Sequence, residues 1–290
     1  MIDSAADRRP GMGTGAGRTA LVSSHYYPSY LEASMRFARR AAAEVGAAVC
    51  VFVASRPELM EGLRKMTEKL PCEGRVRNHD NVGLEFGAYQ RGIDALPDLA
   101  SFDWVLILND SCSLHESFAA QHLANAAQQM QWRPTVTSPV AIGKSEGLER
   151  SFVIEGLRSH RWLTTNLFAL NQSAVRGLGG RLYCPQLESL VTAGAEVGRF
   201  FGPNVDEALR EHIAGWLFDP SAPFHWYRAA PLSSANSTMF ALKARSILQE
   251  IHLGARLESL STAFVDIKEL RRWQRWARRV LPSMPARLQR

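Results

Sequence analysis

The sequence is poor in the features that settle a protein's class quickly. It holds four cysteines in 290 residues, Cys50, Cys72, Cys112 and Cys184, and no two of them form a Cys-x-x-Cys pair. That argues against a zinc ribbon or a disulfide scaffold and leaves buried, reduced thiols as the expectation. No uncharged apolar run approaches the ~18 residues of a transmembrane helix. The first 18 residues lack the apolar centre of a signal peptide. No Lys-bearing phosphate loop is present. The glycine-rich stretch at 11–17 precedes the first expected strand instead of following one, and its spacing does not match Gly-x-Gly-x-x-Gly.

What is there fits an ordinary globular chain. It is 46% hydrophobic and 21% charged, enough apolar material for a real core in one large domain or one domain with an appendage. The net charge of +6 points to acidic company: a phosphorylated ligand, an anionic membrane or a nucleic acid. Charge alone does not choose among them.

Residues 1–18, rich in Gly, Ala and Arg, read as a disordered tail. Residues 19–24 read as a first strand, 29–45 as a helix with Gly46 as its cap, and 47–54 as a continuous apolar strand buried on both faces. A charged helix to about residue 70, a strand from Val76, a helix from about Glu85 and a strand at 104–108 follow. This alternation predicts a mostly parallel α/β sheet with helices on both faces. Ser24, Ser55, Asn81 and Asp110 would then share the carboxyl edge of the sheet, where open α/β sheets bind ligands. Further on, 116–131 reads as a helix, 135–142 as a strand, 143–159 as a charged flap and 162–170 as a strand. Thr164, Thr165 and Asn166 in that last strand need partners or a ligand. Helices are expected from about residue 172, near 187–197, at 205–216 and at 238–251, with 218–231 irregular.

Two stretches carry the chemistry. Asn81-Val82-Gly83-Leu84-Glu85-Phe86-Gly87-Ala88-Tyr89 joins a strand to a helix through glycines that admit close approach. The apolar strand at 104–108 ends abruptly in Asn109-Asp110-Ser111. Together they resemble the rhamnan synthesis protein F family, GT-A-type glycosyltransferases of bacterial surface polysaccharides. Looser likenesses lie at Thr165-Asn166-Leu167-Phe168, at Val205-Asp206-Glu207-Ala208-Leu209 and at Asn236-Ser237-Thr238, so the similarity spans roughly residues 20–255. Two departures stand out. The family usually carries Asp where this chain has Glu85, and it often has a proline shortly after the Asn-Asp-Ser, where this chain runs from Cys112 to His115.

The resemblance implies a GT-A-like fold, a nucleotide-sugar donor, Mn²⁺ or Mg²⁺, and transfer to a glycan or lipid-linked acceptor with inversion. On those terms Asp110 is the metal residue, because a cation held by a carboxylate stabilises a leaving diphosphate. Asn109-Asp110-Ser111 supplies one carboxylate where Asp-x-Asp supplies two. Asn109 and Ser111 would contact the diphosphate, and Asn81, Gly83 and Glu85 the nucleoside. Ser24 and His25 would line the base pocket, although His25 reads equally well as a solvated loop residue. Asp206 and Glu207 are the candidate general bases, with Glu155 on the flap as an outsider. Each carboxylate also has a plainer reading as a turn residue or a helix-start acid.

Residues 256–290 read as a basic amphipathic helical segment. It carries Arg271, Arg272, Arg275, Arg278 and Arg279 opposite an apolar stripe. It suits either an anionic membrane surface or packing on the core. The expected setting is cytoplasmic, with peripheral attachment at the inner membrane face. Two other classes remain open: a nucleotide-sugar-binding protein without catalysis, and a basic nucleic-acid-binding protein. The arginine cluster is confined mainly to the last segment and no nucleic-acid module appears, so no nucleic-acid partner is expected.

Overall fold

The computed structural model describes residues 17–113, 120–133, 137–194 and 196–268. The glycine-rich stretch at 11–17, all but its last residue, and the arginine-rich segment from 269 onward lie outside the described residues.

In chain order the elements are β1 (Thr19–His25), α1 (Leu31–Glu44), β2 (Ala47–Ala54), α2 (Leu59–Thr67), β3 (Glu73–Asn78), α3 (Leu84–Asp94) and β4 (Trp104–Asn109). Then come α4 (Ala120–Gln131), β5 (Val140–Ile154), β6 (Leu157–Asn171), α5 (Gln172–Gly177), α6 (Val197–Phe200), α7 (Glu207–Phe218), α8 (Ser237–Ser259) and β7 (Ala263–Asp266). The seven strands form one sheet in the order β3-β2-β1-β4-β6-β5-β7. β3, β2, β1 and β4 run parallel, β6 is antiparallel to both neighbours, and β7 is parallel to β5. This is the mostly parallel, helix-flanked α/β sheet expected from the alternation of elements.

The central strands are apolar on both faces because both faces are covered. Leu21, Cys50, Phe52, Leu106 and Leu108 pack with α1 and α2 on one side. Ala20, Val22, Val51, Val105 and Ile107 pack with α3 and the later half of α8 on the other. A third core joins Phe152 and Ile154 of β5 to α7 and the earlier half of α8. α8 is apolar around most of its circumference because it serves two cores at once.

Several expectations change. Residues 143–159 are no flap. They belong to β5 and β6, a long hairpin whose turn is Glu155-Gly156, with Ile154 paired to Leu157. Both turn residues have positive φ, 48° and 75°, the signature of a two-residue type I′ loop. The strand expected at 135–142 is the start of this hairpin. Among the described residues near 187–197 there is no long helix: a 3-10 turn, Pro185–Leu190, and the single turn of α6 stand instead. α8 runs on to Ser259 and β7 then joins the sheet, so the boundary expected at residue 255 falls inside a helix. Arg18, expected within the tail, is held by its backbone N–H on Asp103 Oδ2 and its guanidinium lies 4.6 Å from the centre of the Phe102 ring. All four cysteines are free thiols. Among the described residues no helix is long and apolar enough to cross a membrane.

The hairpin turn is testable. Gly156→Val places a β-branched residue at φ +75° and is expected to destabilise the protein by about 1–2 kcal/mol. Glu155→Asn should be neutral or stabilising, since Asn tolerates the left-handed region. Urea unfolding of the two variants checks both signs.

Candidate functional site

The parallel register places the strand ends together. Ser24 pairs with Asn109, His25 with Ala54, and Ala54 with Asn78. The loop after β1, the turn from β3 into α3 and the turn after β4 therefore lie along one edge, as the alternation predicted.

Strand alternation then sorts the first two candidates. Ser24 shares the face of Ala20 and Val22, toward α3 and α8, whereas His25 shares the face of Leu21, toward α1. His25 is 1% exposed, with Nε2 2.9 Å from Ser23 Oγ and Nδ1 3.2 Å from Ser34 Oγ on α1. Burial lowers its pKa from 6.5 to about 3. The expectation that His25 lines a base pocket or sits in a solvated loop is corrected on both counts: it is a neutral, buried tie between β1 and α1.

Asp110 Oδ2 accepts hydrogen bonds from the backbone N–H groups of Tyr26 (2.7 Å) and Tyr27 (2.8 Å). The carboxylate thus clamps the loop after β1 to the end of β4. Its pKa is raised, because burial outweighs the lowering by those amides, and the charge of Glu85 adds to the rise. Asn109 turns inward on its own turn. Its Oδ1 accepts from Ser111 N (3.2 Å) and Ser111 Oγ (2.7 Å), and its Nδ2 donates to Asn166 Oδ1 on β6 (3.3 Å). The 3-10 turn Asp110–Ser113 follows. The side chains of Asn109 and Ser111 thereby make the hydrogen bonds of a capped turn at the sheet edge.

The glycine turn into α3 is shaped by close contact. Asn81 and Leu84 have positive φ, and Gly83 (φ 74°) caps α3 with the Tyr183 ring so near that an added Cβ would lie 2.3 Å from it. At Gly87 a Cβ would meet the Val82 carbonyl oxygen at 1.8 Å. The His79 ring packs beside Gly87, and burial lowers its pKa against the opposing effects of Asp80 and the Val82 backbone.

Glu85 and its surroundings are the part that strand patterns could not reveal. Its carboxylate accepts from Ser246 Oγ on α8. One turn further along α8, Glu250 accepts from the Thr165 hydroxyl and from Thr165 N (3.3 Å), and Tyr89 donates its hydroxyl to the Thr165 carbonyl (2.8 Å). Burial raises the pKa of Glu250, Lys243 opposes this, and Glu85 adds to it. The partners that Thr165 and Asn166 required are thus Glu250, Asn109 and Cys112, whose thiol donates to the Asn166 carbonyl. Lys243, Ser246 and Glu250 were missed. Their spacing of three and four residues within a largely apolar helix was the available signal.

The structure therefore brings Ser24, Glu85, Asn109, Asp110 and Ser111 to one edge, with Asn81 and Gly83 on the adjoining turn. Ser24 and Asp110 are each 5% exposed, whereas Asn81, Glu85, Asn109 and Ser111 are half-buried. Asp206 and Glu207 are not brought there. Asp206 starts α7 and accepts from Val153 N in the outer part of the hairpin (3.2 Å), and both residues line an open cleft of about 690 Å³ with Pro203, Asn204 and Arg210. Glu155 sits at the hairpin tip.

Among the described residues no three His, Cys, Asp or Glu side chains gather to hold a metal ion. Asp110 already accepts two amides on one oxygen, and its acidic neighbour Glu85 is engaged by Ser246. These residues by themselves do not fit a resident Mn²⁺ or Mg²⁺, which wants several oxygen ligands in open octahedral array.

No protein-family model matches the chain, and no curated protein matches it. The resemblance to the rhamnan synthesis protein F family accordingly rests on its motifs alone. Among solved structures the chain is similar to a mannosyltransferase from Pyrobaculum calidifontis in complex with GDP-Man and Mn²⁺. The identity is 12% and the TM-score 0.42, over 86% of this chain and 76% of that one. It is also similar to the inositol-1-phosphate CTP transferase from T. maritima, at 11% identity and a TM-score of 0.32, over 56% of this chain and 74% of that one. Neither likeness is close enough to carry an argument about chemistry.

Two measurements check this geometry. His25, with its folded pKa depressed to about 3 from 6.5, contributes stability that is full above pH 6.5 and is lost as pH falls toward 3. Wild type should therefore lose about 1.4 kcal/mol per pH unit more than His25→Gln between pH 6 and 4. Gly87→Ala forces a Cβ onto a backbone carbonyl and is expected to cost about 3 kcal/mol or more in chemical denaturation. Equal stability of Gly87→Ala and wild type would show that the turn is looser than described.

Proposed function

We propose that the chain is a glycosyltransferase that moves a sugar from a nucleotide-sugar donor to a hydroxyl of a polysaccharide or lipid-linked glycan. The observation that carries this reading is the meeting of Glu85, Asn109 and Asp110 with Thr165, Ser246 and Glu250 at the carboxyl edge of the parallel strands. That edge is where open α/β sheets receive nucleotides. Amide and carboxylate groups on its rim, Asn81, Glu85 and Asn109, suit the hydroxyls and base edge of a nucleoside.

Transfer forms a bond between the acceptor oxygen and the anomeric carbon and breaks the bond from that carbon to the donor's phosphate oxygen. The acceptor proton must pass to a base, and negative charge must be met on the leaving diphosphate. We assign the base to Glu250, because it lies at this edge, hydrogen-bonded to Thr165, with a carboxyl pKa raised by burial. Asp206 and Glu207, the candidates from the motif, line a separate cleft. Lys243, within electrostatic reach of Glu250 and 5.7 Å above the Trp216 ring, supplies a positive charge for the diphosphate.

A thermal-shift series of UDP-, GDP-, CMP- and dTDP-sugars, each with and without Mn²⁺, tests donor binding, since a ligand of the native state raises the melting temperature. At least one donor should stabilise the protein, and Mn²⁺ alone should not. Asp110→Asn keeps an oxygen for the Tyr26 and Tyr27 amides while removing the charge. Glu85→Gln should weaken the stabilising donor by about ten-fold, the worth of one charge-assisted hydrogen bond. Glu250→Gln should lower transfer by a factor of about 10²–10⁴ with little change in donor affinity. Asp206→Asn should leave the rate within a few-fold. Failure of all four donors to bind, or a Glu250→Gln variant with full rate, would defeat the assignment at the corresponding step.

A further inference from the structure

A second concave site lies at the opposite edge of the sheet. α1 presents Arg36, Arg39, Arg40 and Ala43 at spacings of three and four residues, so they share one helical stripe. Facing them are Lys69, Leu70 and Pro71, on the segment between α2 and β3. Together they line a cleft of about 530 Å³. α1 ends at Glu44, shortly before β2 begins at Ala47, and Lys69 to Pro71 lead into β3, which begins at Glu73. The cleft thus opens where the parallel strands start, away from the edge holding Glu85 and Asp110.

Its charge is one-sided. Four of the seven lining residues are cationic and none is acidic. Arg36 is paired with Glu32 along the exposed helix face. The side chains of Arg39, Arg40 and Lys69 make no ion pair or hydrogen bond among the described residues, whereas Arg36 of α1 pairs with Glu32 and Lys65 of α2 with Glu61. Holding like charges together in a concavity costs energy unless an anion joins them. The terminal segments of this chain are poor candidates for that anion, because residues 269–290 are strongly basic and residues 1–16 carry as many basic as acidic side chains.

We propose that this cleft binds a phosphate-bearing ligand, with Arg39, Arg40 and Lys69 as its contacts and Leu70 and Pro71 as an apolar wall. Two arginines suit a phosphate group through their forked donors, and the lysine adds a mobile point charge. The source of the phosphate is either a soluble diphosphate or the headgroup of an anionic lipid, and the site sits apart from the proposed donor edge, so it does not depend on that reading.

The test uses the full chain and the variant Arg39→Gln/Arg40→Gln/Lys69→Gln. Inorganic pyrophosphate is titrated calorimetrically in a salt series, and co-sedimentation is measured with phosphatidylcholine vesicles with and without phosphatidylglycerol. Loss of three charged contacts should weaken the ligand about ten-fold or more, with a shallower salt dependence. Loss confined to pyrophosphate identifies a soluble ligand, and loss confined to the anionic vesicles identifies the headgroup. Arg40→Gln alone should show an intermediate loss and serves if the triple variant does not fold. If neither pyrophosphate nor anionic vesicles distinguish the folded variant from wild type, the site is overturned.

Discussion

The carboxylate of Asp110 holds the site edge together. It ends β4 and accepts the backbone N–H groups of Tyr26 and Tyr27 from the loop after β1. Hydrogen bonds to a charged group are worth about 1.5–3 kcal/mol each, so the pair fixes where that loop leaves the sheet. Yet burial, together with the nearby Glu85, still leaves the Asp110 pKa raised. Around this clamp Asn109 closes its own turn, and the β3–α3 turn brings Glu85 within electrostatic range.

The long β5–β6 hairpin and α8 wall in the carboxyl edge of the parallel strands. β6 lies antiparallel beside β4, which sets Thr165 and Asn166 next to the strand end at Asn109. α8 lies across the same face and delivers Ser246 to Glu85 and Glu250 to Thr165. Glu85 and Glu250 are each met by a hydroxyl and Asp110 by two backbone amides, so the carboxylates of the edge keep hydrogen-bond partners despite their burial. The outer hairpin meanwhile builds a separate core with α7, which is why Asp206, at the start of α7, ends up bound to Val153 instead of facing the edge that holds Glu85 and Asp110.

How much of this was legible follows from the range of each signal. β1, β2 and β4 were readable because strands buried on both faces form unbroken apolar runs, as at residues 47–54. The α3 turn was readable because glycine tolerates the φ of 74° that Gly83 adopts. The hairpin was missed because its outer strands carry charged residues, Glu146, Glu149, Arg150 and Arg158, and a charged stretch resembles a loop. Its one local clue was Glu155-Gly156 between Ile154 and Leu157, a two-residue turn flanked by apolar residues. His25 was misplaced because period-two alternation was not carried through the end of β1.

By itself, the amino-acid order determined the succession of elements, the parallel strands with their polar ends on one edge, and the presence of an acid after β4. These depend on contacts between residues near in sequence and on the periodicity of burial. Only the tertiary structure decided which acids meet. Glu85 and Ser246 lie 161 positions apart, and Thr165 and Glu250 lie 85 apart. Such pairings depend on how α8 and the hairpin cross the sheet, which no local pattern encodes. The same packing left Asp206 on another surface and gathered Arg39, Arg40 and Lys69 into a cleft that no single stretch of sequence outlines.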